Sequence, residues 1–276
     1  MIPMTSQKVG LVPASSQHTN TSVQAFVSQT LLQTKRLLTR WARDYVTIIG
    51  ALVLPILFLV VLNIVLGNLA YIVTCDSGLY SFVPLITLGA AITGSTFVAI
   101  DLVRERSIGL LSRLWVLPIH RASGLLARIL ANTIRTFVTT LVMLVTGVVL
   151  GFRFRQGVIA SLMWVSIPVI FGIAIAVIVT TVALYTEQTF VVEAVELVQA
   201  IAVFLSTGLV PLNQYPGWIQ PLVAHQPVSY AIATMRGLSM GGPVLASMVA
   251  MLLWTAGICA LCAVPLAVGY RLACMH

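Results

Sequence analysis

Long apolar runs alternate with short polar breaks along the chain, and this pattern predicts most of its architecture. A helix needs about 20 apolar residues to cross the hydrocarbon core of a bilayer. Six runs come close to this length, which predicts membrane-spanning helices at residues 45–66, 82–100, 130–151, 158–185, 190–210 and 244–270. The expected fold class is therefore an all-α membrane protein with six transmembrane helices, whose transmembrane domain is 44–276.

The composition supports the same fold class. Hydrophobic residues make up 59% of the 276 residues, charged residues make up 8%, and the mean hydropathy is +1.04. A water-soluble domain of this size does not cover its surface with so few charges. The net charge of +8 does not indicate nucleic acid as a partner, because the basic residues lack the interleaved aromatics of a base-stacking surface.

The basic residues indicate how the chain is oriented in the membrane. If both termini lie in the cytosol, every Lys and Arg except Arg153, Arg155 and Arg236 falls on the cytosolic side, as the positive-inside rule requires. This predicts a multi-pass protein of the cytoplasmic membrane. Residues 1–20 are polar and lack the apolar core and cleavage site of a secretory signal, so we expect them to form a disordered cytosolic tail.

Residues 21–43 have the pattern of an amphipathic helix. Apolar side chains recur there at a period near 3.6, beside the basic residues Lys35, Arg36, Arg40 and Arg43. Such a helix is typical of the cytoplasmic interface, where its apolar face enters the headgroup region. The alternative is a plain extension of the first span on its cytosolic side.

Residues 101–118, between the second and third spans, form a basic amphipathic stretch. Leu111 and Leu114 belong to an apolar set at helical spacing that is surrounded by arginines. The pattern predicts a short cytosolic helix that ends at Pro118. The alternative is a helix bound to anionic lipid at the membrane surface.

Residues 211–242 are too rich in proline to form one membrane-spanning helix, since each internal proline removes a backbone donor. We expect two short helices instead, around Trp218–Ala224 and Ser229–Leu238, in a re-entrant hairpin on the external side. Ser229 is the predicted N-cap of the second helix. The alternative is a disordered external loop. The candidate residues of the hairpin are Pro211, Pro216, Trp218, Pro227, Tyr230 and Arg236.

Two acidic residues stand near the start of the fifth predicted span. Glu193 and Glu196 are three residues apart and therefore share one helix face. Acidic groups within a membrane are candidates for function, so both are candidates for the substrate path, as attractors of a cationic amphiphile or hydrogen-bonding partners of a neutral lipid. The alternative is that they occupy the first helical turns, where the helix dipole and headgroup water favour carboxylates.

The sequence shows no motif for catalysis or for ATP binding. A P-loop needs a lysine followed by Ser or Thr to hold phosphates and magnesium, whereas Lys8 precedes Val9 and Lys35 precedes Arg36. The His, Cys and acidic residues show no spacing typical of a metal site or a catalytic pair. We therefore expect no catalytic residue, no metal and no cofactor in this chain.

Two groups of motifs resemble those of a known family. The stretch Arg104–Arg121, RERSIGLLSRLWVLPIHR, resembles the E-R-E-x-G-x-L-E-x-L-x-x-x-P-x-x-R signature that follows the second span of ABC-2 type exporter permeases. STGLVP at 206–211, PGWIQP at 216–221 and QPVSYAIATMRGL at 226–238 are similar to the second signature of that family. The resemblance covers the chain past about Thr21 and is strongest to the daunorubicin-resistance branch.

The resemblance implies a role and partners. It implies an exporter in which ATP and Mg are bound by a separate ATPase, present in two copies under two six-span permeases, the second permease being a related chain. The implied cargo is a hydrophobic lipid of the phthiocerol dimycocerosate kind, an amphipathic drug of the anthracycline kind, or both, moved out of the cytoplasmic membrane. The residues implied to couple the permease to the ATPase are Arg104, Glu105, Arg106, Gly109, Leu111, Arg113, Leu114 and Pro118.

The chain departs from both signatures at single positions. Ser112 stands where the first signature has a glutamate, and Gln226 stands where the second has an asparagine. The local helix and turn pattern is kept at both positions. Any contact that the family makes through the glutamate carboxylate of the first signature is absent from this chain.

An ion-coupled secondary transporter of hydrophobic compounds is the alternative function. Such a protein needs a chain of acidic residues near the middle of the membrane and often shows inverted repeats. In this chain the acidic residues within predicted spans cluster at one end of the fifth, and no inverted repeat is evident. The sequence therefore favours the ATP-driven permease.

Overall fold

The computed structural model describes residues 23–74, 78–107, 121–186 and 188–275, and every regular element in those ranges is a helix. This confirms the all-α fold class. The predicted tail 1–20 and most of the predicted coupling helix lie outside the described residues. The α-helices in the described ranges are α1 Val23–Arg43, α2 Tyr45–Ile48, α3 Leu54–Thr74, α4 Leu79–Ser107, α5 Arg121–Val149, α6 Gly157–Tyr185, α7 Gln188–Phe204, α8 Gln220–His225, α9 Pro227–Met240 and α10 Leu245–Met275.

Apolar helices occur where the hydropathy pattern predicts them. The fifth predicted span, 190–210, corresponds to α7, which has 17 residues. Among the described residues, the stretches long and apolar enough to cross a membrane are five: Tyr45–Asn68, Leu79–Glu105, Ser123–Val149, Gly157–Tyr185 and Leu245–Gly269. Each of these overlaps a predicted span, so five of the spans are confirmed as apolar helices, and the count of six stays a prediction.

The helices around the second and third spans are longer than predicted. Helix α4 runs to Ser107, so residues 101–107 are its last turns and not the start of a separate coupling helix. Helix α5 begins at Arg121, well before the predicted residue 130. The sequence prediction was wrong here because charged residues near these helix ends pair with each other inside the protein, which an average hydropathy does not detect.

Helix α7 ends at Phe204, before the predicted residue 210. The chain turns at Gly208, which lies tightly between α4 and α9. A Cβ atom added to Gly208 would lie 2.9 Å from Ile232 Cδ1 and 3.0 Å from Leu85 Cβ. Because these contacts join residues far apart in the sequence, local hydropathy could not locate the end of α7.

The first span is not a uniform α-helix. A π-helical turn, Ile49–Val53, joins α2 to α3, and the Leu54 N–H bonds to the Ile49 carbonyl. Pro55 follows directly and has no N–H to donate. Such π-turns widen a helix locally and occur often at functional sites. Here the widened turn faces α4, and its Gly50 removes side-chain volume from that contact.

Asp44 separates α1 from α2 and caps the second of these helices. Its Oδ1 accepts hydrogen bonds from the N–H groups of Val46 at 3.2 Å and Thr47 at 3.4 Å. The Thr47 hydroxyl donates to Oδ2 at 2.6 Å. These bonds to the charged form, led by the Thr47 hydroxyl, hold the pKa of Asp44 below its usual value of 3.8.

Helix α4 forms the centre of the bundle and contacts α3, α5, α6, α7 and α9. Small residues let α6 approach closely, so that Gly172 accepts hydrogen bonds from Ser95 Oγ and Asn132 Nδ2, each at 3.4 Å. In contrast, α3 and α10 expose most of their apolar side chains, for example Ile64 at 72% and Leu261 at 79%. Exposed apolar faces of this kind suit lipid or another membrane protein.

The predicted interfacial helix at 21–43 is present as α1, which packs along α5. Thr30 and Thr34 are buried in this contact, and the Thr34 hydroxyl lies 3.4 Å from the carbonyl oxygen of Ala127. Leu32 and Lys35 are exposed on other faces. The amphipathic helix is therefore observed, while its depth in the cytoplasmic interface stays a prediction.

Candidate functional site

Charged residues from three helices meet where α4 ends and α5 begins. Arg40 of α1 lies between two carboxylates of α4, with Nη2 3.5 Å from Asp101 Oδ1 and Nη1 3.7 Å from Glu105 Oε1. Arg128 of α5 donates a hydrogen bond to the same Glu105 carboxylate. We call Arg40, Asp101, Glu105 and Arg128 the charge cluster. It ties α1 to both helices that flank residues 108–120, and it pairs Asp101 with an arginine.

Glu105 and Arg128 are the buried members of the charge cluster, each only 5% exposed. Two further nitrogens of Arg128, Nε and Nη1, are buried without a partner among the described residues. This placement changes the interpretation of Glu105, which the sequence resemblance assigned to contact with an ATPase. The Glu105 carboxylate is bonded to Arg128 inside the chain. Releasing it to contact an ATPase would leave Arg128 as an unpaired buried charge, which costs several kcal/mol.

Arg135 is a further buried cation on α5, at 5% exposure. The structure shows its guanidinium carbon 5.2 Å from the centre of the Trp41 ring, and Nη1 3.5 Å from the Gly94 carbonyl. The guanidinium of Arg135 does not reach out to solvent. The ring of Trp41 and the α4 backbone enclose the cation instead, so that α1, α4 and α5 also meet here.

The predicted coupling residues divide between described and undescribed parts of the chain. Arg104 is exposed near the end of α4, and Arg106 belongs to the last turn of that helix. The remaining positions lie in 108–120, outside the described residues: Gly109, Leu111, Arg113, Leu114 and Pro118. The sequence indicated Arg40 only as a basic residue of the interfacial helix and assigned no role to Arg128. Arg128, Asn132 and Arg135 nevertheless recur at helical spacing and thus signal a polar face on α5.

A cavity of about 300 Å³ lies between the first span, α4 and α7. Its lining is apolar except for one polar pair, in which the Thr93 hydroxyl donates to Gln199 Oε1 at 3.0 Å. Phe58 and Leu54 stand on the side of the first span and are 47% and 60% exposed. The cavity is therefore open toward the outside of the bundle. No sequence signal could have located this cavity, since no motif connects Thr93 with Gln199.

The two acidic candidates of the fifth predicted span lie on α7. Glu193 and Glu196 both expose their side chains, and neither lines the cavity. Glu196 precedes Gln199 by three residues, so the two share a helix face. The structure thus places the two glutamates on the helix that borders the cavity, outside the lining itself. Their role in a substrate path stays a prediction.

The proline-rich segment 211–242 contains two short helices, α8 and α9, near the predicted positions. The sequence predicted Ser229 as the N-cap of α9, and this prediction is wrong. Gln226 occupies that position, and Pro227 is the first helical residue. Ser229 Oγ instead accepts hydrogen bonds from the Thr207 N–H at 3.3 Å and from Gln226 Nε2 at 3.0 Å. Ser229 therefore joins α9 to the turn after α7.

Side chains of this segment also satisfy the last carbonyl groups of α7. The Tyr215 hydroxyl lies 3.0 Å from the Phe204 carbonyl oxygen and 3.1 Å from that of Ser206, and Gln226 Nε2 donates to the Leu205 carbonyl. We call Tyr215 and Gln226 the α7 cap. Burial raises the pKa of Tyr215, which keeps its hydroxyl a donor.

The other candidate residues of the segment have different environments. Pro211 precedes a short 3₁₀ turn, Pro216 is exposed, and Trp218 is 81% exposed. Tyr230 and Arg236 of α9 are partly buried. Helix α9 packs against α4, α6 and α10, so the alternative of a disordered loop is wrong for 227–240. Whether the two helices enter the outer leaflet stays a prediction.

Comparison with known proteins agrees with this arrangement. The family model of the ABC-2 type transporter matches residues 28–240. The chain is 76% identical over 276 residues, the full length of both proteins, to the probable doxorubicin resistance ABC transporter permease protein DrrC of Mycobacterium tuberculosis. It is 26% identical over 234 residues to the putative transport permease ycf38 of Cyanophora paradoxa, covering 81% of this chain and 79% of that protein.

A third relative is the daunorubicin resistance ABC transporter permease protein DrrB1 of Streptomyces coeruleorubidus. It is 23% identical over 216 residues, which cover 78% of this chain and 76% of the relative. The chain belongs to the ABC-2 type transporter family. It is a permease of an ABC transporter, a membrane component with several apolar helices that takes part in transport.

Proposed function

We propose that the chain is the membrane-spanning subunit of an ATP-driven exporter in the cytoplasmic membrane, with both termini in the cytosol. Its cargo is a hydrophobic lipid of the phthiocerol dimycocerosate kind, an amphipathic drug of the anthracycline kind, or both. Membership of the ABC-2 family supports the ATP-driven class. The names of two relatives, which refer to doxorubicin and daunorubicin resistance, support the drug as cargo.

The observation that carries the mechanism is the charge cluster at the two helix ends that flank residues 108–120. This segment connects α4 to α5, and the charge cluster fastens the two helix ends to each other and to α1. A push on the segment therefore moves α4 and α5 together, because a buried ion pair does not part easily. Since α4 also borders the cavity, movement at the segment changes the shape of the cavity.

The partner ATPase binds in this proposal to residues between the end of α4 and Pro118. Two ATPase copies, with ATP and Mg, sit under two six-span permeases, of which the second is a related chain. The docking residues are Arg104, Arg106, Gly109, Leu111, Arg113, Leu114 and Pro118. Glu105 does not dock. It holds the end of α4 in place from within the chain.

The substrate enters the proposed path from the membrane. The cavity beside α7 supplies an apolar surface with one polar pair. Glu193 and Glu196 lie exposed on the same helix, and they attract the amine of a cationic amphiphile toward it. Tyr215 and Gln226 cap the end of α7, where cargo leaves.

Co-purification tests the proposal. The tagged chain, extracted gently from native membranes, is expected to bring down a P-loop ATPase. The variant Arg113→Glu with Leu114→Glu is expected to lose it, since both changes lie in the proposed docking segment and neither residue is a member of the charge cluster. Arg153→Ala is the matched control, because Arg153 is exposed beyond the opposite end of α5. A chain that purifies with no ATPase, or an ATPase retained by the double variant, would contradict this function or its docking segment, respectively.

A further inference from the structure

A second cavity, open and of about 580 Å³, lies along an exposed face of α1. The ionisable residues that line it, among those described, are Lys35, Arg36, Arg40, Arg43 and Asp44. The four cations recur at intervals of one, three and four residues, so they lie on one broad side of the helix. We call this space the basic cavity.

The positive charge of the basic cavity is not neutralised within the described part of the chain. Lys35, Arg36 and Arg43 form no ion pair with a described residue. Asp44 is a carboxylate of the lining, but its oxygens already accept the three hydrogen bonds that cap α2. A concave surface with cations of one sign concentrates anions, and arginine suits a phosphate group in particular.

The position of the basic cavity favours a lipid as the source of this phosphate. Helix α1 ends at Arg43, and the first apolar stretch begins at Tyr45. Tyr45 and Val46 are 79% and 81% exposed, so apolar surface for an acyl chain lies directly beyond the cations. Basic residues next to a membrane span attract the anionic lipids of the cytoplasmic leaflet.

Arg40 connects the basic cavity to the charge cluster. It lines the cavity, while its nitrogens lie 3.5 Å from Asp101 and 3.7 Å from Glu105. These pairs are long, and Arg40 is partly exposed, so they contribute little. A phosphate can bind the same guanidinium through two shorter hydrogen bonds. Glu105 keeps Arg128 as its buried partner, so Arg40 can turn to a phosphate without leaving a buried charge unpaired.

We propose that the basic cavity binds the phosphate headgroup of an anionic phospholipid, and that this headgroup competes with Asp101 and Glu105 for Arg40. The bound lipid is a regulator and not cargo, because it weakens the link between α1 and α4 and so alters the base of residues 108–120. The binding step is independent of the proposed function, whereas the regulatory consequence rests on it.

Lipid titration followed by native mass spectrometry tests the binding step on the purified complex. The probes are phosphatidylglycerol and phosphatidylcholine with the same acyl chains, and we expect the first to bind more tightly. Arg36→Gln with Arg43→Gln is expected to weaken phosphatidylglycerol binding about thirtyfold, since each basic residue near a membrane surface contributes roughly a factor of five. The matched control is Arg153→Gln with Arg155→Gln, which removes the same charge from exposed residues beyond the other end of α5.

Equal binding of the two lipids, or equal weakening by both double variants, would overturn the site. Loss of the ATPase from Arg36→Gln with Arg43→Gln, at unchanged lipid affinity, would assign these cations to a protein partner and would also overturn it. A parent chain that purifies with no ATPase would contradict the proposed function instead, and lipid binding to that chain could still be measured.

Asp101→Asn tests the competition for Arg40. Because it removes a competing carboxylate, it is expected to tighten phosphatidylglycerol binding about two- to fivefold, the range for an exposed ion pair. The same change in an Arg40→Gln background is expected to leave the affinity unchanged. A gain of equal size in both backgrounds would show general charge attraction and would overturn the competition.

Discussion

Glu105 and Arg128 form a buried ion pair between the end of α4 and the beginning of α5. The two residues are 23 positions apart, and the segment that joins the two helices is the proposed docking site for the ATPase. The pair therefore fixes the base from which this segment extends. Arg40 adds a weaker, exposed link from α1 to the same carboxylate at 3.7 Å.

Removal of Glu105 is expected to destabilise the protein far more than removal of Arg40. Glu105→Ala leaves Arg128 buried without its counter-charge, which costs about 3–5 kcal/mol. Arg40→Ala removes a partly exposed link worth about 0–1 kcal/mol. Unfolding of the detergent-solubilised protein, followed by circular dichroism, measures both effects. Glu193→Ala is the control, because Glu193 is exposed. Equal stability of Glu105→Ala and Arg40→Ala would show that the buried pair does not hold these helices.

The sequence predicts the apolar helices well but misses some of their ends. Lipid and a protein core both require apolar side chains, so five long runs appear as helices in both descriptions. The ends of α4 and α5 differ because Asp101, Glu105 and Arg128 are charged yet paired. Hydropathy treats such residues as solvated. The pairing itself depends on how helices pack, which the spacing of residues along one helix does not contain.

The candidate site was predictable only in part. The segment 108–120 follows from its basic amphipathic pattern and from the family signature. The contact between Thr93 and Gln199 joins residues 106 positions apart, and it carries no local pattern. The same is true of the α7 cap, in which Tyr215 bonds to carbonyl groups that any residue could supply.

Gly208 is expected to tolerate no side chain. Its Cβ in a Gly208→Ala variant would lie 2.9 Å from Ile232 Cδ1 and 3.0 Å from Leu85 Cβ, so α9 or α4 must shift. Overpacking of this kind costs about 1–3 kcal/mol. Thermal unfolding checks the value, with Gly217→Ala as the control, since its Cβ would meet no atom within 4 Å. A Gly208→Ala protein as stable as Gly217→Ala would contradict the tight turn.

Tyr215 is expected to stabilise the end of α7 only while its hydroxyl is protonated. Burial raises its pKa above the usual 10.0, so the contribution is complete below pH 10 and is lost as the pH rises through the higher folded value. Tyr215→Phe removes the donor and costs about 0.5–1 kcal/mol. Stability measured between pH 8 and about 11 should fall more steeply in the parent than in Tyr215→Phe. Identical profiles would exclude a role for this hydroxyl.

Asp44 is expected to make the start of the first span sensitive to acid. Hydrogen bonds hold its pKa below 3.8, so its capping of α2 is complete above that pH and is lost as the pH falls through the lowered value. Hydrogen exchange at residues 45–48, corrected for the intrinsic pH dependence, reports the loss. Asp44→Asn caps without titrating and should show no such change. Acid sensitivity that persists in Asp44→Asn would place its origin elsewhere.

Transport into inside-out membrane vesicles that contain the chain and its ATPase tests the central claim most directly. Doxorubicin is expected to accumulate when ATP and Mg are supplied, to do so in the presence of a protonophore, and to fail in the variant Arg113→Glu with Leu114→Glu. That result would show a permease driven by a docked ATPase. Accumulation that needs no ATP and disappears when the protonophore is added would contradict the claim and identify an ion-coupled transporter.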